Sequence, residues 1–447
     1  MSREDPIKAE KDLSSIVDAE FPQIEKLPYK EAVDRYLNLE KQTRQSSDLV
    51  SSKKVLSKIT DVLVKNDWEY LNELIPILSK KHGQMKSSIQ YFIQGIIEHL
   101  DELNDDNKTQ LDLKIKIIET IRTVGDKKIF VEVERAIVSK KLSEIYLNKL
   151  NDLDKAVEIL CDLQVETYSM MEFPTKIEYI LKQIELTLRK HDFSQAKILS
   201  RKILLKSLKN FEKADEYKIT YLKFLIKINE FDNDYISIVS NYLKLIEIDL
   251  IKESSDLNDY LVSIIYYIIL SKFDNLQHDL IMKIKTNPVF IKNVDSKIFT
   301  LLEIFTTNEL IHWTNIENSY SQEFKSSEIF NNSENFKNLQ KRIIEHNLRI
   351  INKYYTFIEL SRLSYLLQLN NDETEKYISE LVNSGMISAK INRPQGIVKF
   401  EKAGAKNDFN SLLNDWCYDV DKLLEEVDQI GHLINKEEMM YGIKQKS

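Results

Sequence analysis

The sequence is poor in the residues that end and turn secondary structure, with only 8 glycines and 7 prolines in 447 residues. An architecture of many short strands needs these residues at its turns, so an all-β fold is excluded. Leu, Ile, Lys, Glu and Asn are abundant instead. The chain is also too long for one hydrophobic core. We therefore expect a mainly α protein, built from two or three domains or from one extended array of helical repeats.

Cysteine and long apolar runs are also scarce. Cys161 and Cys417 are far apart and form no CxxC motif, so neither a disulfide framework nor a thiolate metal site is predicted. The most apolar stretch, 260–270, is far below the roughly 20 residues of a membrane span and predicts a buried helix. The charged first residues lack the apolar segment of a secretory signal. We expect a protein of the cytoplasm and nucleus with no membrane attachment.

The motifs of common catalytic and nucleotide sites are missing. The seven histidines are scattered singly, and the sequence has no HExxH, GxxxxGK[ST], GxGxxG or GxSxG motif. A lone histidine is more often a surface or core residue than a ligand. The sequence thus offers no catalytic, metal or cofactor site, and we predict a protein that is not an enzyme.

A weak repeat runs through the first two thirds of the chain. Its pattern is a leading residue, usually acidic, then a large apolar residue, two variable positions and a small or apolar residue. The matches begin at Pro28, Asp67, Asp152, Asp192 and Asp234. An acidic residue caps a helix start, and a small residue allows a second helix to approach closely. Although a long helical chain yields some matches by chance, the shared spacing near 40 residues favours a TPR-like solenoid of helix pairs over 25–318, after an N-terminal tail at 1–24.

The pattern changes after a Ser- and Asn-rich segment at 319–334, which we expect to be a loop. A strand is predicted at 355–358, a helix capped by Ser361, and a second helix capped by Asn371 or Asp372 that ends at Gly385. Two short strands follow at 386–391 and 397–400, around a turn at 392–396. This order predicts a winged helix within 335–408. Two loose hairpins on a bundle would be the alternative, but they would leave the paired caps unexplained.

Winged helices often bind DNA, but the charges here oppose that function. The helix in the groove-reading position carries four carboxylates, Asp372, Glu373, Glu375 and Glu380, against Lys376 alone. DNA phosphates would repel it. The wing has a modest basic cluster of Lys390, Arg393, Lys399 and Lys402. We therefore favour protein binding over nucleic-acid binding.

The final segment, 409–447, predicts a long helix that joins a bundle. Its apolar residues are separated alternately by three and four positions, which is the spacing of a coiled-coil seam. The seam consists of Leu413, Trp416, Val420, Leu423, Val427, Ile430 and Ile434. The first turns could pack on the chain's own winged helix. Because a helix of roughly 30 residues is about 45 Å long, its far end is expected to meet another subunit.

Several segments resemble one family. They include KKHGQMKSSIQYFI (80–93), ILCDLQVETY (159–168), KRIIEHNLRIINKYY (341–355), SELVNSGMISAKINRPQGIVKFEK (379–402) and GHLINKEEM (431–439). Together with the predicted domain order, they resemble the PCI-domain subunits of the proteasome lid, whose domain also occurs in the COP9 signalosome and translation initiation factor three.

The resemblance implies a scaffold with no catalysis of its own and no cofactor. Its winged helix would add a sheet edge to other PCI lid subunits by strand addition. The candidate edge is formed either by Ile387, Ala389 and Ile391 or by Ile397 and Val398. The resemblance further implies a solenoid directed toward the ATPase ring and core particle, and a role in positioning an MPN-type deubiquitinase pair in a hetero-oligomer, not a homo-oligomer. A signalosome subunit and a nucleic-acid-associated PCI protein remain alternatives.

Overall fold

The computed structural model divides the chain into two compact units, Met1–Phe224 and Leu225–Ser447. The structure describes residues 13–25, 27–103, 107–126, 128–204, 213–252, 254, 256–401 and 406–446, and within the last of these segments it describes side chains at 413 and 416–441. The predicted mainly α fold is confirmed, since helices dominate the described residues and the only sheet among them has three strands.

The first helices build the solenoid. In chain order they are α1 (Ser14–Ile24), α2 (Tyr29–Gln45), α3 (Leu49–Asn66), α4 (Trp68–Lys80), α5 (Lys86–His99), α6 (Lys108–Gly125), α7 (Glu132–Asn148), α8 (Leu153–Cys161), α9 (Phe173–Arg189), α10 (Phe193–Ser200) and α11 (Ala214–Asp232). Helices α2 and α3, α7 and α8, and α9 and α10 pack as pairs, while α3 packs on α5 and α4 on α6. Successive helices therefore stack on their neighbours, as in helical-repeat proteins.

Part of the predicted N-terminal tail is helical. Residues 1–12 lie outside the described residues, but 14–24 form α1, and Val17 and Ile24 on this helix are buried. The main-chain N–H of Leu13 also donates to Asp48 Oδ2 at 3.0 Å. The prediction of a tail over 1–24 is thus wrong for 14–24, because this short helix buries an apolar face against α2 and α3.

The predicted capping residues do begin helices. The side chains of Asp67, Asp152, Asp192 and Asp234 each accept a main-chain N–H from the first turn of the helix that follows. Pro28 precedes α2 without a side-chain cap. The small or apolar residues four positions later are buried as expected, since Ala156, Ala196 and Ile238 are all fully inaccessible.

A tight turn recurs directly before three of these caps and before Asp48, and the repeat pattern did not reveal it. The residue before each cap has a positive φ, a conformation uncommon for residues other than glycine. These residues are Ser47 (56°), Asn151 (51°), His191 (63°) and Asn233 (55°). The main-chain N–H of Asp192 donates to the carbonyl oxygen of Thr187 at 3.0 Å, which closes the preceding helix. Each turn thus ends one helix and caps the next.

The helices after α11 lead to the winged helix. They are α12 (Tyr235–Ile246), α13 (Asp249–Lys252), α14 (Leu257–Leu270), α15 (Asn275–Thr286), α16 (Pro288–Asn293), α17 (Ser296–Thr306), α18 (Trp313–Ser326) and α19 (Ser333–Tyr354). The apolar stretch at 260–270 is buried within α14, as predicted, and α14 packs on α12, α17 and α19. Among the described residues, no helix is both long enough and apolar enough to cross a membrane.

The loop predicted at 319–334 is wrong for most of its length. Helix α18 continues to Ser326, and a 3-10 turn occupies Glu328–Asn331 before α19 begins. The polar composition concealed an apolar stripe, because Ile316, Tyr320 and Phe324 recur every four residues and are all buried.

The winged helix has the predicted order of elements. It comprises β1 (Phe357–Glu359), α20 (Leu360–Leu367), α21 (Asn371–Asn383), β2 (Ala389–Asn392) and β3 (Ile397–Phe400). The sheet is antiparallel with the order β1-β3-β2. Two details of the capping prediction differ, since α20 starts after Glu359 without a Ser361 cap, and α21 starts after Asn370. The chain ends in α22 (Lys406–Lys446), a helix of 41 residues.

Candidate interaction surfaces

The seam of α22 is exposed along its whole length. All seven predicted seam residues are accessible, from 36% for Leu413 to 65% for Trp416. The apolar stripe is also broader and longer than the seven-residue prediction, because Leu424, Leu433 and Tyr441 are exposed on the same helix. The signal for Tyr441 was available in the sequence, since it follows Ile434 by one heptad. Exposed apolar surface of this extent is typical of interaction sites, so the stripe is a candidate for one.

The described intramolecular contacts of α22 lie in its N-terminal half. Helix α22 packs against α15, and Tyr418 Oη donates within 3.2 Å of Thr286 Oγ1. Leu413 and Trp416 are exposed, which does not support the interpretation that the chain's own winged helix covers the first turns of the seam. At 1.5 Å per residue α22 is about 60 Å long, and its residues 419–430 are all exposed.

Acidic residues flank the apolar stripe of α22. Asp419, Asp421, Glu425, Glu426 and Asp428 are exposed beside Lys422. A partner helix that carried Lys or Arg beside its own apolar residues would complement this charge. The same excess of carboxylates opposes contact with nucleic acid.

The sheet of the winged helix offers β2 as an edge strand. The main-chain N–H of Glu401 donates to Ser388 O at 2.9 Å. In an antiparallel ladder, every second pair of opposite residues is joined by main-chain hydrogen bonds. Because Ser388 and Glu401 form such a pair, Lys390 and Lys399, which lie opposite each other two residues further along, form the next one. The main-chain groups of Ala389 and Ile391 therefore point away from β3. They are available to an added strand.

Three of the five predicted edge residues are not at an edge. Ile397 and Val398 lie on β3, the central strand, and Val398 is completely buried. Ile387 precedes β2 and is buried in the core of the winged helix. The prediction failed because the sequence shows strands but not their order, and β1 occupies the second side of β3. Residues 357–359 of β1 form the other edge, which we had not identified as one.

A groove runs beside the β2 edge. It lies between α21 and β2, has a volume of about 580 Å³, and is lined by Ile378, Val382, Ala389 and Ile391 among others. An added strand on β2 could place alternate side chains in this groove, because side chains alternate between the faces of a sheet. The groove thus favours β2 over β1 as the edge for strand addition.

The described basic residues of the wing are already engaged within the chain. Lys390 Nζ lies 2.7 Å from Glu401 Oε1, and Arg393 lies 3.0 Å from Glu375 Oε2. Lys399 Nζ lies over the ring of Phe357. Lys402 lies outside the described residues. These contacts reduce the positive potential that phosphate binding requires.

The described residues offer no candidate metal centre. They include no group of three His, Cys, Asp or Glu side chains that could hold a metal ion. Burial raises the pKa of the Cys161 thiol to about 11, which keeps it protonated and a poor nucleophile at neutral pH. The notable surfaces of the described residues are those suited to binding other macromolecules.

Helical repeats that lead into a winged helix define a PCI-domain protein, and residues 317–402 match the PCI domain family. Residues 31–254 match the PSMD12/CSN4 N-terminal family, and residues 410–442 match the C-terminal domain of 26S proteasome regulatory subunit RPN5. The chain belongs to the RPN5/PSMD12 family of proteasome regulatory subunits.

Its relatives resemble it over nearly their full length. The 26S proteasome regulatory subunit RPN5 of Saccharomyces cerevisiae is 47% identical over 455 residues, covering 100% of both chains. The 26S proteasome non-ATPase regulatory subunit 12 of Dictyostelium discoideum is 35% identical, covering 98% of this chain and 96% of the relative. An Arabidopsis thaliana protein, 26S proteasome non-ATPase regulatory subunit 12 homolog A, is 34% identical, covering 92% and 96%.

Proposed function

We propose that this chain is a non-catalytic structural subunit of the 26S proteasome regulatory particle lid. It assembles through the stripe of α22 and through strand addition at β2. In this role it contacts other PCI subunits, the ATPase ring and the core particle. It also positions an MPN-type deubiquitinase pair for ubiquitin-dependent degradation in the cytoplasm and nucleus. The family membership and the printed names of the relatives support this proposal.

The observation that carries the proposal is the exposed stripe of α22. Full burial of one Leu, Ile or Val side chain stabilises by roughly 1.5–3 kcal/mol. The stripe has six such residues and Trp416, and their burial would supply ample free energy to hold a subunit in a helical bundle. This free energy is unused in the isolated chain because the stripe faces solvent.

Substitution within the stripe tests the assembly role. Leu423→Ala and Val427→Ala together should remove roughly 3–5 kcal/mol of bundle burial while keeping good helix propensity. We expect incorporation into the lid to fall at least tenfold, measured by co-purification with tagged lid subunits. A chain truncated before Leu423 should remain folded by circular dichroism but fail to assemble.

The matched control changes exposed polar residues on the same turns. Gln429→Ala with His432→Ala alters two exposed positions of the same helix that lie outside the apolar stripe and should leave incorporation unchanged. Wild-type assembly by the truncated chain or by the stripe variant would show that α22 does not drive incorporation.

Two other functions make different predictions. A signalosome subunit would co-purify with a cullin-deneddylating complex and not with the proteasome ATPases. The match of residues 410–442 to the RPN5 C-terminal domain favours the proteasome. A nucleic-acid-associated protein would bind DNA or RNA with an affinity that falls as the salt concentration rises. The ion-paired basic residues of the wing and the acidic residues of α21 oppose such binding.

A further inference from the structure

The first unit contains a groove that the assembly role does not use. It lies beside α4 and α6, and its volume is about 830 Å³. Four lysines line it, namely Lys80, Lys81, Lys116 and Lys128. Two carboxylates, Glu119 and Asp126, also line it. The groove is therefore basic on a chain whose formal net charge is -8.

Ion pairs leave this positive charge largely uncompensated. Asp126 is held by Arg135 at 3.2 Å, so its carboxylate is already engaged. Lys81 is similarly engaged, because its Nζ lies 3.2 Å from the buried Glu40 carboxylate. Of the remaining charged groups in the lining, three are lysines, namely Lys80, Lys116 and Lys128, and one is a carboxylate, Glu119.

Lys128 lies in an unfavourable electrostatic position. It is half-buried, and its Nζ donates to Ser79 O at 3.4 Å. Burial, together with the nearby charge of Lys80, lowers the pKa of the Lys128 amine. A bound anion would relieve this repulsion.

The groove also holds acceptors that lack donors. Gln84 is 1% exposed, and its side-chain oxygen has no hydrogen-bond partner. The side-chain oxygen of Asn72 is likewise buried and unpartnered. Unsatisfied buried acceptors are costly, so each favours a ligand with N–H groups. Phosphate and nucleic-acid backbones supply acceptors only, whereas a polypeptide supplies both main-chain N–H groups and carboxylates.

Apolar surface completes the lining. Pro76, Val124 and Phe130 contribute to the groove beside the lysines. A site that combines cationic, amide and apolar groups matches an extended peptide with acidic and apolar side chains.

We propose that this groove binds a short acidic segment of a partner protein. The carboxylates of the segment pair with Lys80, Lys116 and Lys128. Its main-chain N–H groups donate to Gln84 and Asn72, and an apolar side chain packs on Phe130. This site lies in the first unit and does not depend on the role of α22.

Fluorescence anisotropy with the full-length chain tests the proposal. The probe is a fluorescein-labelled peptide of sequence Glu-Leu-Glu-Asp-Leu-Glu. We expect saturable binding by the wild-type chain and at least tenfold weaker binding by the Lys80→Gln, Lys116→Gln double variant. Both lysines are exposed, so this variant should fold normally. The matched control, Lys30→Gln with Lys41→Gln, removes two exposed lysines of α2 and should bind as the wild type does.

Two further probes define the ligand. A neutral peptide, Gln-Leu-Gln-Asn-Leu-Gln, should bind at least tenfold more weakly than the acidic one. A labelled oligothymidylate of equal charge should bind more weakly than the acidic peptide. The proposal is overturned if the acidic peptide shows no binding at about 1 mM chain, a concentration that detects interactions of only roughly 4 kcal/mol. The proposal is also overturned if the Lys80→Gln, Lys116→Gln variant binds the acidic peptide as tightly as the wild type does. The same holds if the wild type binds the neutral peptide as tightly as the acidic one, or binds the oligonucleotide more tightly.

Discussion

His346 is buried on α19 among charged side chains. Its Nε2 lies 3.3 Å from Glu309 O, and its Nδ1 lies 3.1 Å from the guanidinium of Arg349. Burial and the charge of Arg349 lower the pKa of His346 to about 4. The ordinary value in an unfolded chain is about 6.5, so the unfolded chain binds the proton first. Stability from this group is therefore present above pH 6.5 and is lost as the pH falls toward 4.

A pH-dependent stability measurement tests this assignment. Between pH 7 and pH 5, His346 should contribute about 1–2 kcal/mol to the loss of unfolding free energy. We expect His346→Gln to lose less stability than the wild type over this range, measured by urea denaturation. His82→Gln changes an exposed histidine and serves as the control. Equal pH dependence in the wild type and His346→Gln would contradict the assignment.

The sequence could not identify His346 as unusual among seven scattered histidines. Its environment comes from Glu309, before α18, and from Arg349, one helical turn along α19. Only the packing of the 309–311 segment against α19 brings these groups together, through Asn347 as well as His346. Residue spacing carries no information on such a contact.

At the scale of elements, the recurring turn before Asp192 joins α9 to α10. Asp192 Oδ1 accepts the N–H of Gln195 at 3.1 Å. Replacing the cap by alanine removes this acceptor, so Asp192→Ala should lower the unfolding free energy by about 1 kcal/mol. Asp192→Asn keeps an oxygen acceptor and should retain most of the stability. Chemical denaturation of the two variants measures the difference, and equal losses would mean that the side-chain oxygen does not cap α10.

The β2 edge permits a selective test of strand addition. Ala389→Pro removes a main-chain N–H that points away from β3, so the internal ladder should survive. Lys390→Pro instead removes an N–H within the hydrogen-bonded pair to Lys399 and should destabilise the winged helix. We expect Ala389→Pro to weaken association with neighbouring PCI subunits in a pull-down, with circular dichroism near that of the wild type. Undiminished association would exclude β2 as the contact edge.

Elements whose apolar residues recur at regular spacing over many positions were predictable from the sequence. The spatial arrangement of the elements was not. The seam of α22 was read from spacing alone, and α8, α10 and α12 begin directly after the predicted caps. The order β1-β3-β2 depends instead on which strands pair across the wing, so Ile397 and Val398 were placed at an edge although they lie in the centre. Helix α18 was missed because Ser and Asn on its exposed face outweighed its three buried apolar residues.

At the scale of the whole molecule, periodic residues indicated the class of fold, but the division into two compact units did not follow from them. The boundary between the units lies within the region that the repeat pattern treats as continuous. The basic groove beside α4 and α6 was equally hidden. Its lysines are spread over some fifty positions of sequence, and the charges along the chain are mixed.

The bare stripe of α22 has a consequence for the amount of this protein in a cell. A copy made in excess of its partners displays a helix of 41 residues with apolar side chains in water. Such a surface favours self-association and capture by chaperones or proteases. Under the proposed assembly role, a copy without its partner keeps this surface exposed, so the amount of the subunit is tied to the amount of its partners.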